Sequence, residues 1–510
     1  MVARVLSGAV LGIEGYLVEV EVNLAPGVPN FSIVGLPDAA VKESSDRVMA
    51  AIKNTNLDLP VKRITVNLAP ANIKKEGSAF DLPIALGICA ANHVLRKDEL
   101  ENYMILGELS LDGRVKPIKG ALSIAVEAKA KGLTGLLLPV ENAAEAAVVE
   151  GLNVYPVSTL PQTVSFLNGE SMIDPLPTKT GEDFFRDALY EIDFTDVKGQ
   201  LHVKRALEIA AAGGHNIILI GPPGSGKSML AKRLPTILPS LSLEEAIQTT
   251  KIHSVLGLLD HGKGLILTRV FRSPHHTISD AGLIGGGTVP MPGEVSLAHN
   301  GVLFLDELPE FKRNALEVLR QPIEDGKVSI ARASGSITYP TDFMLVAAMN
   351  PCPCGYRTDH KRECTCTPPM IKKYVSKISG PLLDRIDIHI QVPSVEYKEL
   401  SSEAGGEISA TIRERVEQAR QVQLGRFKDS QTFFNAGMNT KQLRQYCQLD
   451  DASKQIMALA IDKMGLSARA HDRILKVSRT IADLDGMESL TVEHVAEAIQ
   501  YRSLDRENYF

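Results

Sequence analysis

The sequence contains no tryptophan, few aromatic residues and no long apolar run. None of its 510 residues is Trp and 5% are aromatic, which argues against base-stacking platforms as the main way of holding nucleic acid. No apolar run approaches the roughly 20 residues of a membrane span, and residues 1–5 do not resemble a signal peptide. We therefore expect a cytoplasmic protein without a membrane partner. Lys and Arg number 55 against 61 Asp and Glu, so any contact with DNA must come from local basic loops.

Cysteine is also scarce, with six in the chain. Cys89 and Cys447 are isolated, and such cysteines usually pack as small apolar residues. The other four form two C-x-C pairs within fifteen residues, namely Cys352, Cys354, Cys364 and Cys366. Four thiolates suit tetrahedral Zn²⁺, although free thiols remain the alternative because the spacing departs from the commoner C-x-x-C. His360 is a further candidate ligand.

The length of the chain exceeds what one hydrophobic core supports and predicts about three domains. Residues 1–170 mix alternating strands with helices, which predicts an α+β domain. Residues 171–190 are predicted to be a linker. Residues 191–395 alternate strands and helices, as a multidomain α/β protein with a parallel sheet requires. Residues 396–510 show helical spacing and predict a helical domain.

The most specific motif is a phosphate-binding loop directly behind the apolar run at 216–220. It matches G-x-x-x-x-G-K-[ST] between a strand and a helix. The glycines let backbone N–H groups face the phosphates, the lysine reaches the outer phosphates, and the serine holds Mg²⁺. The sequence thus predicts an ATP and Mg²⁺ site made of Gly221, Pro222, Pro223, Gly224, Ser225, Gly226, Lys227 and Ser228.

Two further strands end in polar residues. The apolar run at 301–305 ends in Asp306 and Glu307, which we predict to hold Mg²⁺ and to polarise the attacking water, respectively. The run at 343–349 ends in Asn350, which is placed to orient that water or the terminal phosphate. In isolation these residues would fit an acidic turn and a strand cap equally well. Their order behind a phosphate loop favours catalysis.

Taken together, these stretches resemble the ComM/YifB family of magnesium-chelatase-like AAA+ ATPases over nearly the whole chain. The segments that carry the resemblance are 194–200, 221–228, 271–279, 285–287, 304–310, 350–355 and 382–389. The resemblance implies an AAA+ core with a helical lid, a homohexameric ring and ATP-driven work on DNA. In this family that work is branch migration by a helicase on recombination intermediates during natural transformation.

Three arginines acquire candidate roles from the same resemblance. In ring ATPases an arginine at the position of Arg385 reaches the nucleotide of the neighbouring subunit and neutralises charge on the transferred phosphoryl group. An internal salt bridge to Asp384 or Asp387 is the alternative. Arg469 begins a lid helix and is a candidate reporter of nucleotide state, with Arg473 as the competing residue.

Two loops are candidates for contact with DNA. The segment 324–338 reads as strand, turn and strand, with Lys327 and Arg332 as predicted phosphate contacts. Residues 272–293 are rich in Gly, His and Pro, and loops of this length are often functional. We expect both to face the pore of the ring.

The first domain resembles the Lon-protease-like fold, related to ribosomal protein S5 domain 2, through residues 76–83 and 107–120. A Ser–Lys protease needs a lysine to activate its serine. Ser78 lies near the nucleophile position, whereas Leu122 occupies the aligned lysine position and Lys116 and Lys119 are nearby. We expect a non-proteolytic module. An ATP-dependent protease and a chelatase-type remodelling motor are the alternatives to a DNA motor.

Overall fold

The computed structural model describes residues 2–96, 100–178, 190–260, 262–287, 289–332, 335–357, 359, 362–394 and 405–502. The chain divides into two compact units. The first comprises the described residues of Met1–Ala188 together with Leu243–Leu267, and the second those of Leu189–Ser242 and Thr268–Phe510.

The first unit is built on a mixed sheet with helices against it. Its strands are β1 Val2–Leu11, β2 Glu14–Ala25, β3 Asn30–Val34, β4 Arg63–Ala69, β5 Tyr103–Ile105, β6 Glu108–Leu109, β7 Val115–Lys116, β8 Gly135–Pro139 and β9 Asn153–Val157. Its first six helices are α1 Ala39–Lys42, α2 Ser44–Asn54, α3 Asp81–Ala91, α4 Ala121–Ala130, α5 Val140–Ala146 and α6 Leu160–Leu167.

Seven of these described strands form one sheet in the order β3-β4-β2-β1-β5-β8-β9. The pairs β1–β2 and β2–β4 are antiparallel, and the other neighbours run parallel. Alternate residues of β2 are buried, as expected for a strand with one face on a core. Helix α3 is buried along its whole length, which explains why its sequence is apolar on every side.

One helix of the first unit comes from a distant part of the sequence. Helix α9, Leu243–Leu256, lies in the middle of the predicted ATPase core but packs with the first unit. There Lys251 pairs with Glu14 at 3.1 Å, and Ser254 donates a hydrogen bond to the buried carboxylate of Glu145. The core predicted as one continuous segment is therefore interrupted by residues 243–267. The other predicted domain boundaries stay a prediction.

The second unit contains a parallel sheet followed by helices. Its elements are α7 Leu201–Gly213, β10 Ile217–Ile220, α8 Lys227–Arg233, β11 Phe271–Arg272, α10 Asp280–Ile284, β12 Gly285–Gly286, β13 Met291–Pro292, α11 Glu294–Leu297, β14 Val302–Leu305, α12 Arg313–Val318, α13 Arg320–Asp325, β15 Lys327–Arg332, β16 Gly335–Pro340, β17 Met344–Met349, α14 Pro368–Val375, α15 Gly380–Leu383, β18 Ile388–Gln391, α16 Ser409–Arg426, α17 Thr440–Tyr446, α18 Asp451–Met464, α19 Ala468–Leu484 and α20 Val492–Gln500.

The parallel sheet has the order β11-β14-β17-β10-β18 in the described residues, and every neighbouring pair runs parallel. Strands β10, β14 and β17 are buried at every position, as strands covered on both faces must be. Because β17 lies between β10 and β14, the loops after these three strands emerge side by side at one edge. This confirms the α/β reading of the region.

The helices after residue 405 form the helical C-terminal region that was predicted. Their starts carry the expected caps, including Asn439 with Gln442 in a capping box, Asp450 and Ser467. These side chains satisfy backbone N–H groups that a helix start leaves free. The buried faces of α16, α18, α19 and α20 join the core of the parallel sheet.

Candidate nucleotide site and its surroundings

The phosphate-binding loop has the backbone shape that anion binding requires. It connects β10 to α8, and Gly224 and Gly226 have φ of +77° and +88°, a region that glycine enters without strain. At Gly221 a Cβ atom would lie 2.1 Å from the carbonyl oxygen of Val392, so only glycine fits beside β18. These positions explain the glycines of the motif by conformation and by space.

Lys227 is held inside the loop. Its ammonium group donates to the carbonyls of Gly221 and Pro222 at 2.8 and 2.9 Å and to Oδ1 of Asn350 at 3.3 Å. Burial lowers the pKa of Lys227 to about 8, although the charge of Asp306 opposes the shift. A phosphate at the loop would supply the negative charge that this buried ammonium group lacks.

Ser228 and Asp306 meet at the same edge of the sheet. Their hydrogen bond, from Ser228 Oγ to Asp306 Oδ2, is 2.7 Å long. A hydroxyl and a carboxylate are oxygen ligands of the kind that Mg²⁺ prefers, so the pair fits the predicted metal. The structure therefore brings together Lys227 and Ser228, at the start of α8, with Asp306 and Asn350, which directly follow β14 and β17.

Glu307 lies beside this group with its side chain 59% exposed. Its φ is +53°, an uncommon conformation for a residue with a side chain. The conformation lets the chain turn sharply directly after Asp306. The carboxylate of Glu307 lies 3.3 Å from Nδ1 of His276, a contact that the sequence patterns did not indicate.

Gln200 is a second residue that the sequence analysis missed. Its amide group donates to the carbonyl of Ser225 at 3.0 Å and to that of Pro393 at 2.8 Å, so it ties the phosphate loop to the end of β18. Its backbone is left-handed, with φ of +52°. The Gly-Gln pair ahead of an apolar helix was the available signal.

Arg385 is buried, with 6% of its surface exposed. It donates to the carbonyl of Pro381 at 2.5 Å and forms an ion pair with Glu324, while its Nε has no hydrogen-bond partner among the described residues. The alternative of an internal salt bridge is therefore present in the structure, but its partner is Glu324 and not Asp384 or Asp387. Both acids face the lid helix α19 instead.

The two candidate sensor arginines on α19 differ sharply in environment. Arg473 lies 2.8 Å from Asp387, whose side chain is 1% exposed. Arg469 is 68% exposed and lies 3.7 Å from Asp384. His215 contacts the second oxygen of Asp387 at 2.9 Å. Arg473 thus belongs to a buried network between core and lid, whereas Arg469 is largely exposed.

The four clustered cysteines converge in space. Their sulfur atoms all lie within 4.8 Å of one another. The Sγ of Cys352 is 3.4 Å from that of Cys354 and 3.7 Å from that of Cys364, and Cys354 and Cys364 are 3.6 Å apart. Tetrahedral Zn²⁺ with bonds of about 2.3 Å places its sulfurs about 3.8 Å apart, so the cluster fits zinc. His360 lies outside the described residues.

The cysteine cluster is close to the nucleotide site. Cys352 is fully buried two residues after Asn350. A Cβ atom on Gly355 would lie 2.6 Å from Cδ of Pro223 in the phosphate loop. Hydrogen bonds led by the N–H of Tyr356 lower the pKa of the Cys354 thiol to about 6. The loop after β17, which carries Cys352 and Cys354, therefore packs directly against the phosphate loop at Gly355.

The predicted DNA-contact residues lie on a β-hairpin of β15 and β16. Lys327 begins β15 and Arg332 ends it, so they are separated by about 17 Å and point to opposite faces. Arg332 donates to the carbonyl of Gly287 at 3.2 Å, and Tyr339 donates to that of Pro290 at 2.7 Å. The hairpin is thereby attached to the segment 285–293.

In the first unit, the hydroxyl of Ser78 donates to the carboxylate of Glu108. Leu122 is fully buried, and Lys116 and Lys119 are exposed. Nothing in this arrangement favours a Ser–Lys pair. The specific Lon-like assignment of this unit stays a prediction. No described helix combines the length and the apolar character that crossing a membrane demands.

Comparison with known proteins matches three consecutive parts of the chain to family models. Residues 20–142 match the model described as subunit ChlI of Mg-chelatase, residues 193–400 that of magnesium chelatase, subunit ChlI, and residues 406–502 its C-terminal model. Residues 193–400 contain the phosphate-binding loop and the whole parallel sheet of the second unit.

Whole-length relatives are also found. The chain is 45% identical to competence protein ComM of Haemophilus influenzae over 99% of its own length and 98% of the relative. It is 44% identical to the protein YifB of Escherichia coli over 98% of its length and 96% of the relative. The 67 kDa magnesium-chelatase subunit of Chlorobaculum parvum is 30% identical, but over 31% of this chain and 23% of that protein.

Proposed function

Because the chain belongs to the ComM/YifB family of magnesium-chelatase-like AAA+ proteins, we propose that it is a cytoplasmic, ring-forming ATPase that uses ATP hydrolysis to translocate along or unwind DNA. We propose a homohexamer acting on single-stranded or branched DNA, with branch migration during natural transformation as its setting. The name of the Haemophilus influenzae relative, a competence protein, supports this setting.

The observation that carries the ATPase proposal is the meeting of four side chains at one sheet edge. Ser228 donates to Asp306 at 2.7 Å and Lys227 donates to Asn350 at 3.3 Å. The loop leads directly into the start of helix α8, and a helix start favours an anion. To bind a phosphate, the ammonium group would exchange its carbonyl contacts for phosphate oxygens. Bound Mg²⁺ would neutralise charge on the outer phosphates.

The remaining roles follow from position. Glu307, exposed next to Asp306, polarises the attacking water. Asn350 aligns the water or the terminal phosphate. Arg469 contacts the nucleotide from the lid. Arg385 stabilises charge on the transferred phosphoryl group of an adjacent subunit, for which it must leave its ion pair with Glu324.

The DNA contact is proposed at the β15–β16 hairpin. Arg332 lies at its tip and is exposed, so it is the better placed of the two basic residues. Lys327 lies at the base, and its predicted contact requires DNA to follow the strand. Zn²⁺ is proposed as a structural ion at the four cysteines, because their sulfur separations match its geometry.

The first test measures ATP hydrolysis with no DNA and with single-stranded, duplex and forked DNA, together with particle mass in the presence of ATP. We expect hydrolysis that Glu307→Gln abolishes, stimulation by DNA, and an ATP-dependent hexamer. Arg332→Ala should reduce the stimulation more than Lys327→Ala, its matched control on the same strand. If the protein hydrolyses ATP but no DNA stimulates it, the proposed action on DNA is wrong and the proposed ATPase activity is kept.

The second test addresses the shared site. Arg385→Ala and Lys227→Ala are each expected to be inactive alone, and mixing them should restore part of the turnover, because some interfaces then combine an intact lysine with an intact arginine. Arg385→Gln replaces the alanine variant in a second mixture with Lys227→Ala, in case Arg385→Ala is unstable. If neither mixture recovers activity although the variants assemble, Arg385 has no role between subunits.

A further inference from the structure

The guanidinium group of Arg385 lies inside its own protomer. The side chain is 7% exposed, and its one carboxylate partner among the described residues is Glu324. A second contact goes to the carbonyl of Pro381 at 2.5 Å. Removing the partner of a buried charge is costly, because the charge is then left uncompensated. The carboxylate of Glu324 therefore supplies the charge that keeps the guanidinium group folded back in this position.

The backbone of Arg385 is fixed independently of its side chain. Asn216, which directly precedes β10, donates from its amide group to the carbonyl of Arg385 at 3.1 Å. Its own carbonyl accepts from the N–H of Ile388 at 3.1 Å, and its Oδ1 accepts from the N–H of Leu345 in β17 at 2.8 Å. Because none of these contacts involves the guanidinium group, that group can change partners while the backbone stays attached to the sheet.

Glu324 is held from the opposite side, at the base of the β15–β16 hairpin. It lies in α13, two residues before Gly326, whose φ of +61° ends the helix ahead of β15. The carbonyl of Gly326 accepts from the N–H of Thr341, directly after β16, at 2.8 Å. The backbone at Glu324 is thus fixed, but its side chain is 52% exposed. Solvent reaches the acid side of the ion pair, which keeps the pair weak enough for a competing anion to break it.

We propose that Glu324 is a positioning residue that holds Arg385 inside its own protomer until the outer phosphates of a nucleotide in the adjacent subunit compete for the guanidinium group. This inference rests on the proposed function and deepens it by naming the group that the adjacent nucleotide must displace. A guanidinium group binds carboxylate and phosphate oxygens in the same way, so the carboxylate takes the place of phosphoryl oxygens in the resting protomer. Because the ion pair must break first, its free energy is subtracted from the stabilisation that Arg385 gives to the transferred group.

The test compares Glu324→Gln with the parent protein at saturating ATP and without DNA. Removing the charge should raise kcat by about threefold, the factor that corresponds to a partly exposed ion pair, and leave KM for ATP unchanged. Glu324→Asp is measured as well, because it keeps the charge and so protects the fold. Its side chain is one methylene group shorter, so it should raise kcat by less. A structural role alone predicts a lower kcat in both variants.

Two controls separate this effect from a general one. Glu317 forms a partly exposed ion pair at 2.8 Å with Arg320, the first residue of α13, so Glu317→Gln removes a comparable pair from the same region. It should change neither kcat nor KM. In protein that already carries Arg385→Ala, Glu324→Gln should leave turnover unchanged, because the expected gain acts through the guanidinium group.

The outcomes distinguish this inference from the function on which it rests. An unchanged or lower kcat in both Glu324 variants, while Arg385→Ala is slower than the parent, overturns the inference and leaves the proposed function intact. A rise in kcat that persists in the Arg385→Ala protein also overturns the inference alone. If Arg385→Ala hydrolyses ATP as fast as the parent, the proposed role of Arg385 is wrong and the inference is lost with it.

Discussion

Replacing the two lid arginines separately should have different effects: loss of Arg473 should lower stability, and loss of Arg469 should lower ATP turnover. In Arg473→Ala the carboxylate of Asp387, 1% exposed, loses a partner at 2.8 Å. Breaking a buried ion pair typically costs about 3–5 kcal/mol. His215 still contacts the other oxygen at 2.9 Å, so we expect the lower end, about 3 kcal/mol. In Arg469→Ala an exposed pair at 3.7 Å is lost, which costs about 0–1 kcal/mol.

The measurement is urea unfolding followed by circular dichroism, paired with ATP turnover. Arg473→Ala should have a clearly lower urea midpoint than the parent. Arg469→Ala should have the same urea midpoint as the parent but lose ATP turnover. Arg473→Lys, which keeps the charge but not the planar guanidinium, should fall between parent and alanine variant.

Acid provides an independent check on Asp387. Burial by itself would raise its pKa, but the charge of Arg473 and the hydrogen bond from His215 hold the pKa below its usual range. A lowered folded-state pKa contributes stability above the unfolded value near 4 and loses it as pH falls through the folded value. The gap between parent and Arg473→Ala should thus narrow towards pH 3. Equal unfolding of parent and Arg473→Ala at pH 7 would refute the reasoning.

Three further outcomes are expected. Purified protein should carry about one zinc per chain by metal analysis, and Cys352→Ser should lose it; a metal-free parent that retains full stability contradicts the assignment. Because burial lowers the pKa of Lys227 to about 8, the unfolded chain holds more protons between pH 8 and 10.5, and stability rises with pH there. Lys227→Met removes this buried charge, so at pH 7 the variant should unfold at a higher urea concentration than the parent. The difference in midpoint between the two proteins should be smaller at pH 10. Glu324→Gln leaves the buried guanidinium of Arg385 without its carboxylate. It should lower the free energy of unfolding by about 1–3 kcal/mol and the melting temperature with it; an unchanged melting temperature would show that the pair contributes nothing.

The elements that the sequence predicted correctly are those with a strong local signal. The apolar runs before Gly221, Asp306 and Asn350 had to be buried parallel strands, and the phosphate motif required a strand before it and a helix after it. The family resemblance is confirmed by relatives that match the chain over nearly its whole length.

What the sequence could not give depends on contacts between distant segments. The pairing of Arg385 with Glu324 joins residues 61 positions apart, and neither has a local pattern that marks it. The period of two along β15 does separate Lys327 from Arg332, and applying it would have shown that they lie on opposite faces. The contact between His276 and Glu307 follows from the neighbouring places of β11 and β14 in the sheet, which no motif encodes.

The first unit is formed by two separate stretches of the chain, because residues 243–267, which follow the phosphate loop in sequence, also belong to it. A single cut in the segment 171–190 therefore cannot yield two independent products. A fragment starting near residue 190 would carry a helix whose Ser254 has lost the carboxylate of Glu145, and a fragment ending there would leave that carboxylate buried without its hydroxyl. If a protease cuts within residues 171–190, the two fragments should therefore elute together in size-exclusion chromatography and separate only when denaturant is added.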